Sequence, residues 1–153
     1  TVKPDKYDST VLYGLEAGKY RLALKTPKDQ IINVEYTRDK SKKKAAYKKS
    51  KAIHLKSDID SIYTSTEKAA RWYKVSVSST KKRKAVTLSK DSVGGGFKFC
   101  VYQKGKRLKT VKVTKNDKVK TVKLPKKKGA YYVKVTKLTS KTTGAYYLGT
   151  YTY

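Results

Sequence analysis

The chain holds 153 residues, with 39 Lys or Arg against 11 Asp or Glu and a formal net charge of +28. A single cysteine, Cys100, excludes an intrachain disulfide, and no uncharged run approaches the roughly 20 apolar residues of a membrane helix. Leu, Ile, Val and Phe make up only about a fifth of the chain, near the composition of disordered segments.

Against disorder stand 14 Tyr and 14 Val, residue types that favour strands. Tyrosine brings a large buriable ring with a tip that can stay wet, so the expected core is β and partly tyrosine. The length suits one domain, or a domain with an appendage. Thirty-four of the 39 basic residues are lysine, whereas nucleic-acid readers lean on arginine. Lysine alternating with apolar residues protects the wet face and edges of a sheet. The same charge also suits an anionic polymer as partner.

The segment TVLYGLEAGKYRLALK (10–25) repeats TVKLPKKKGAYYVKVT (121–136) at a constant offset of 111 residues. Thr10 matches Thr121, Val11 Val122, Gly18 Gly129 and Tyr20 Tyr131, while Leu22 and Leu24 match Val133 and Val135, and Tyr36 matches Tyr147. Residues 1–40 are therefore expected to be an N-terminal strand pair, a β-hairpin appendage left from a preceding copy of the unit. An isolated hairpin is marginal in water. It must pack on the main body, pair with another chain, belong to an adjacent domain or stay unpaired. A lysine-rich linker is expected at 41–50, and the main domain at 51–153.

KAIHLKS reads as a strand with His54 between Ile53 and Leu55. DSIYTSTEKAARW is the one stretch expected to hold a helical turn. RWYKVSVSS (71–79) sets Trp72, Lys74 and Ser76 against Tyr73, Val75 and Val77, the two-residue period of a half-buried strand. KAVTLS (84–89) follows a charged turn. In 94–113 Phe97, Phe99 and Val101 share a face, KGK turns the chain, and Leu108, Val111 and Val113 resume. DKVKTVKLP (117–125) alternates Val119 with Lys120 and Val122 with Lys123. GAYYVKVTK and GAYYLGTYTY close the chain, each opened by glycine. Short strands with turn signals between them predict an all-β fold, an antiparallel β-sandwich of jelly-roll-like type.

Catalysis lacks an inventory. His54 is the sole histidine, and a Cys100–His54 pair would be the only nucleophile and base available. Asp58 and Asp60 are the only close carboxylates that could act as acid and base. GGG at 94–96 precedes no Gly-Lys-Ser/Thr, so it reads as a turn or bulge rather than a phosphate loop. No enzyme activity and no cofactor are expected.

The tyrosines carry the candidate site. With Tyr131, Val133 and Val135 facing the core, Tyr132 and Lys134 point outward; with Tyr146 and Leu148 inward, Tyr147, Tyr151 and Tyr153 point outward. The last two strands are expected to be hairpin neighbours, which would bring Tyr132 and Tyr147 together. Two readings stay open for Tyr132, Lys134, Tyr147 and Tyr151. They are a platform that stacks sugar rings beside ammonium groups, or cross-strand packing and a surface covered by the first forty residues.

The run KAIHLKS…ARWYKVSVSS…GFKFCVYQKGKRL…KGAYYVKVTK…TGAYYLGTY resembles the bacterial pre-peptidase C-terminal domain. That is a β-sandwich module of secreted proteins, related to the collagen-binding domains of clostridial collagenases. The resemblance covers about residues 51–153 and rests on the order and spacing of these segments, from Trp72-Tyr73 through Val101-Tyr102 and Gly105 to the strands at 129–135 and 144–148. The lysine bias also resembles multi-module surface proteins of Gram-positive gut bacteria. It implies an extracellular or cell-surface, non-catalytic module beside a larger partner. Some members bind calcium through acidic residues before the sandwich, which here would be Asp58, Asp60 and Glu67. Three carboxylates are a thin set for a cation that takes six or more oxygens, so no metal is expected.

The expected function is therefore positioning or attachment of a larger secreted protein, with weak binding to anionic cell-wall polymer or glycan. The alternative is a nucleic-acid-binding β protein using its lysine and tyrosine surface.

Overall fold

The computed structural model describes residues 45–56, 59–63, 67–114, 116, 117 and 119–153, together with 15, 18–21 and 23. The expected N-terminal strand pair otherwise lies outside the described residues. A short 3-10 turn, Lys49–Lys51, leads into nine strands. These are β1 (Ile53–His54), β2 (Ile59–Tyr63), β3 (Arg71–Val77), β4 (Lys84–Gly94), β5 (Phe97–Gln103), β6 (Lys106–Val113), β7 (Val119–Lys123), β8 (Gly129–Lys137) and β9 (Thr143–Thr152). Among the described residues no helix is long and apolar enough to cross a membrane.

Two sheets face one another, as the alternating pattern requires. One has the order β1-β3-β8-β5-β6, the other β2-β9-β4-β7. All pairs are antiparallel except β1 with β3. Burial on β3 alternates along its whole length, with Arg71, Tyr73, Val75 and Val77 inward and Trp72, Lys74 and Ser76 outward. On β8 Tyr131, Val133 and Val135 are inward, and on β9 Tyr146 and Leu148. The core is thus tyrosine-rich: Tyr63, Tyr73, Tyr131 and Tyr146 are fully buried with Phe97, Phe99, Leu88 and Leu148. Each such ring removes about 150–250 Å² from water, roughly 4–6 kcal/mol gross at about 25 cal/mol per Å².

Their hydroxyls are satisfied inside. Tyr131 donates to the Lys127 carbonyl at 2.9 Å, and Tyr63 to the Ala69 carbonyl at 2.9 Å. Tyr73 and Tyr146 bond hydroxyl to hydroxyl across the two sheets.

Several sequence expectations are corrected. The stretch expected to hold a helical turn contributes β2, whose residues pair with β9 from Ile59↔Leu148 to Tyr63↔Gly144; a strand there covers an edge of β9 that would otherwise be open. Leu108, expected to resume the apolar pattern after the turn, is 43% exposed: the register slips between Val101 and Tyr102 and leaves it opposite no partner. Val119 and Val122 lie three apart, so one strand cannot bury both: Val122 is buried and Val119 is 51% exposed. The KGK turn is a two-residue hairpin in which Lys104 and Gly105 have φ of 47° and 79°, the geometry that matches strand twist.

The end of the expected linker is docked. Trp72 donates its backbone N–H to the Ala46 carbonyl at 2.8 Å, and Leu55 donates to the Lys74 carbonyl at 2.9 Å. Residues 45–55 therefore run along the open edge of β3.

Candidate functional site

The expected hairpin between the last two strands does not form. β8 lies between β3 and β5 in one sheet, and β9 between β2 and β4 in the other. The intervening segment crosses the end of the sandwich, pinned to Gly96: Leu138 donates to the Gly96 carbonyl at 2.9 Å, and Gly96 donates to Thr142 Oγ1 at 3.2 Å. The crossing brings Tyr131 and Tyr146 into one core from opposite sheets. Tyr132 and Lys134 consequently stand on one outer face of the molecule, and Tyr147 and Tyr151 on the other.

On the four-stranded face, Tyr147 and Tyr151 are 41% and 46% exposed. Four residues of extended strand separate them by roughly 13 Å. Gly149 lies between them and is paired with Thr87 of β4, which is paired in turn with Thr121 of β7. The two threonine hydroxyls bond each other at 2.9 Å. These residues, with Thr150, line a shallow cleft of about 380 Å³. Its walls are ring and its floor is hydroxyl and bare backbone. Beyond Tyr151 the ring of Tyr153 continues the wall at 5.8 Å between centroids, with Lys123 Nζ 5.3 Å from that ring.

On the five-stranded face, Trp72 of β3 and Tyr102 of β5 meet across β8 with centroids 5.6 Å apart. Lys134 Nζ stands 5.5 Å from the Trp72 ring, and Lys49 Nζ lies 4.8 Å from the ring of Tyr132. All three rings are half-buried. Cys100 is on the same row, directly opposite Lys134. It is buried, with its Sγ 3.3 Å from Thr110 Oγ1. Burial, and then the neighbouring Cys100, push the Tyr102 hydroxyl pKa up. Trp72 and Tyr102 were not singled out from the sequence as site residues. The parity of their strands, which sets both opposite core positions, was the available signal.

The titratable candidates are dispersed. His54 on β1 lies with its Nε2 3.1 Å from Ser76 Oγ. Two strands, β3 and β8, stand between it and Cys100, three strand spacings or roughly 14 Å. Glu67 is bound by Arg71: Nε donates to Oε1 at 2.8 Å and an Nη to Oε2 at 2.6 Å. Arg71 also stacks on the Tyr63 ring at 4.2 Å. Burial opposes its charge, but the Glu67 hydrogen bond and nearby groups hold its pKa above the ordinary value. Asp58 lies outside the described residues, and the backbone of Asp60 pairs with Tyr147. Among the described residues no three His, Cys, Asp or Glu side chains gather at one point.

No protein-family model matches the sequence, and no curated protein does. Among solved structures, the chain is similar to the pre-peptidase C-terminal domain of collagenase from Bacillus anthracis. The identity is 16% and the TM-score 0.50, with 74% of this chain and 100% of that chain covered. At that identity the likeness concerns the path of the backbone: the sandwich described above has the fold of the pre-peptidase C-terminal domain.

Proposed function

We propose that the chain is a non-catalytic module of a larger extracellular or cell-surface protein. It attaches that protein by holding an acidic glycan or cell-wall polymer in the cleft between Tyr147 and Tyr151. The cleft carries the reading. Tyrosine walls offer flat faces to the C–H side of a sugar ring, and the Thr87 and Thr121 hydroxyls at its floor offer hydrogen bonds. The lysine coat supplies the attraction for acid groups.

The internal repeat supports a place in a larger, multi-unit protein. Of the matched positions of 10–25, those at Val122, Tyr131, Val133 and Val135 are buried, while that at Thr121 is exposed. They also include Gly129, which has φ of 135°. The unmatched positions Lys19, Arg21 and Ala23 correspond to Ala130, Tyr132 and Lys134, none of which is buried. Along 129–135 the repeat keeps the inward residues and lets the outward ones vary, as a repeat that keeps a fold does.

The test is migration of the chain through gels containing polygalacturonate, an acidic sugar polymer, or polyacrylate, an acid without sugar. Retardation by polygalacturonate should weaken with salt yet outlast retardation by polyacrylate, and Tyr147→Ala with Tyr151→Ala should abolish the difference. Equal retardation by both polymers, or no effect of the double substitution, would sink the cleft as a site. Preferential binding of single-stranded oligonucleotide would replace this reading with the nucleic-acid one.

A further inference from the structure

The outer face of the five-stranded sheet has a charge pattern that packing does not explain. Apart from the inward Arg71, strands β3, β5, β6 and β8 contain eight Lys or Arg and not one Asp or Glu, whereas the four-stranded sheet includes Asp60 and Asp91. Lys98 stands directly opposite Lys112, and like charges in that position weaken a sheet. Lys134 and Lys49 lie over the rings of Trp72 and Tyr132. Ammonium–ring contacts at a wet surface are weak, so such an ammonium is readily redirected to an anion, leaving the ring face for another flat group. The chain's only tryptophan is held outward here, half-buried, while the core is filled by smaller rings.

We propose that this face is a second site for an acidic glycan, formed by Trp72, Tyr102, Tyr132, Lys134 and Lys49, so that one module binds two polymer strands on its opposite sides. The sugar ring stacks on Trp72 and Tyr102 while its carboxylate or phosphate takes the ammonium groups of Lys134 and Lys49. Because the two sheets turn their outer faces in opposite directions, no single straight strand reaches both sites, and occupation of both bridges separate strands. The inference rests on the cleft reading for the class of ligand, but not for the residues.

Trp72 gives this face its own reporter. The full chain is titrated with a short oligogalacturonide, with stoichiometry from calorimetry and site occupancy from tryptophan emission. Two oligosaccharides per chain are expected. Tyr147→Ala with Tyr151→Ala should bind one and keep the full change in emission. Lys49→Gln with Lys134→Gln changes only outward groups; it should weaken the emission-reported site by a factor on the order of ten and leave the other unaltered. One oligosaccharide per chain, lost in the tyrosine variant and silent in tryptophan emission, would overturn the second site while the cleft stands. Binding that persists in the tyrosine variant but not in the lysine variant would remove the cleft and keep this face. An equal emission change with polyacrylate, or one seen with single-stranded oligonucleotide and not with the sugar, would overturn the proposal. Absence of any glycan binding would overturn both.

Discussion

Tyr73 and Tyr146 join the two sheets at their centre. Each is fully buried, their rings meet edge to face at 6.5 Å and 86°, and their hydroxyls bond each other. A sandwich short of leucine thus has a polar contact in the middle of an apolar layer, and its stability depends on keeping that contact intact.

Tyr73→Phe deletes one half of the bond and leaves the Tyr146 hydroxyl without it. The expected loss is about 1–3 kcal/mol in urea unfolding. Tyr73→Phe combined with Tyr146→Phe should cost less than the two single losses added. Strictly additive losses would show that the hydroxyls do not act as a pair.

Arg71 and Glu67 form a second enclosed polar contact, with side chains 10% and 13% exposed. Glu67→Gln removes the carboxylate that neutralises an inward guanidinium. The expected destabilisation is about 3–5 kcal/mol. Removing the unpaired guanidinium as well, with Arg71→Met on the Glu67→Gln background, should recover much of it. A loss below about 1 kcal/mol would place the pair in water, as surface ion pairs behave.

Burial raises the pKa of Tyr63, against a smaller opposing effect of Arg71, and burial likewise raises that of Tyr146. The folded state therefore keeps protons that the unfolded chain releases near pH 10. Stability is fully present below that value and is lost as pH rises through the folded values. Urea midpoints should fall steadily from about pH 10 towards about pH 12, and level midpoints across that range would contradict the linkage.

Gly96 admits no side chain, since a Cβ there would stand 2.0 Å from the Val113 carbonyl oxygen. Gly96→Ala should cost about 1–3 kcal/mol or more, because the obstacle is backbone. Gly105, with φ of 79° and nothing within 4 Å of its Cβ position, should accept asparagine for about 1 kcal/mol or less. Thermal melts of the two variants separate crowding from backbone preference. Equal losses would mean that the crowding at Gly96 is relieved by movement of β6.

Much of this architecture was legible in the residues. The two-residue period of 71–77, 129–135 and 146–148 assigned inward and outward tyrosines correctly, because one slip of register would have put lysine in the core. What periodicity does not encode is which strand lies beside which. A glycine-led strand following another looks like a hairpin, and nothing in the alternation itself says that β9 joins the other sheet. Because it does, Tyr132 and Tyr147, expected side by side, face opposite ways. Arg71 is a residue on which the pattern is silent: it shares the parity of Tyr73 and is buried, and only its bond to Glu67 makes that position tenable for a charge. The parity that placed Trp72 outward was visible throughout, yet its meeting with Tyr102 depends on β8 lying between their strands.

The docking of residues 45–55 along β3 bears on how such a module carries tension. The segment 45–55 is held by backbone bonds at Trp72 and Leu55, and the last strand is fastened as well, with Tyr153 and Arg83 exchanging backbone bonds at 2.9 and 3.0 Å. A pull along the axes of these two segments meets bonds arranged crosswise to the force, several of which must rupture at once, instead of a ribbon that peels open bond by bond. A body fastened this way would resist stretching at both of these segments before its interior is disturbed.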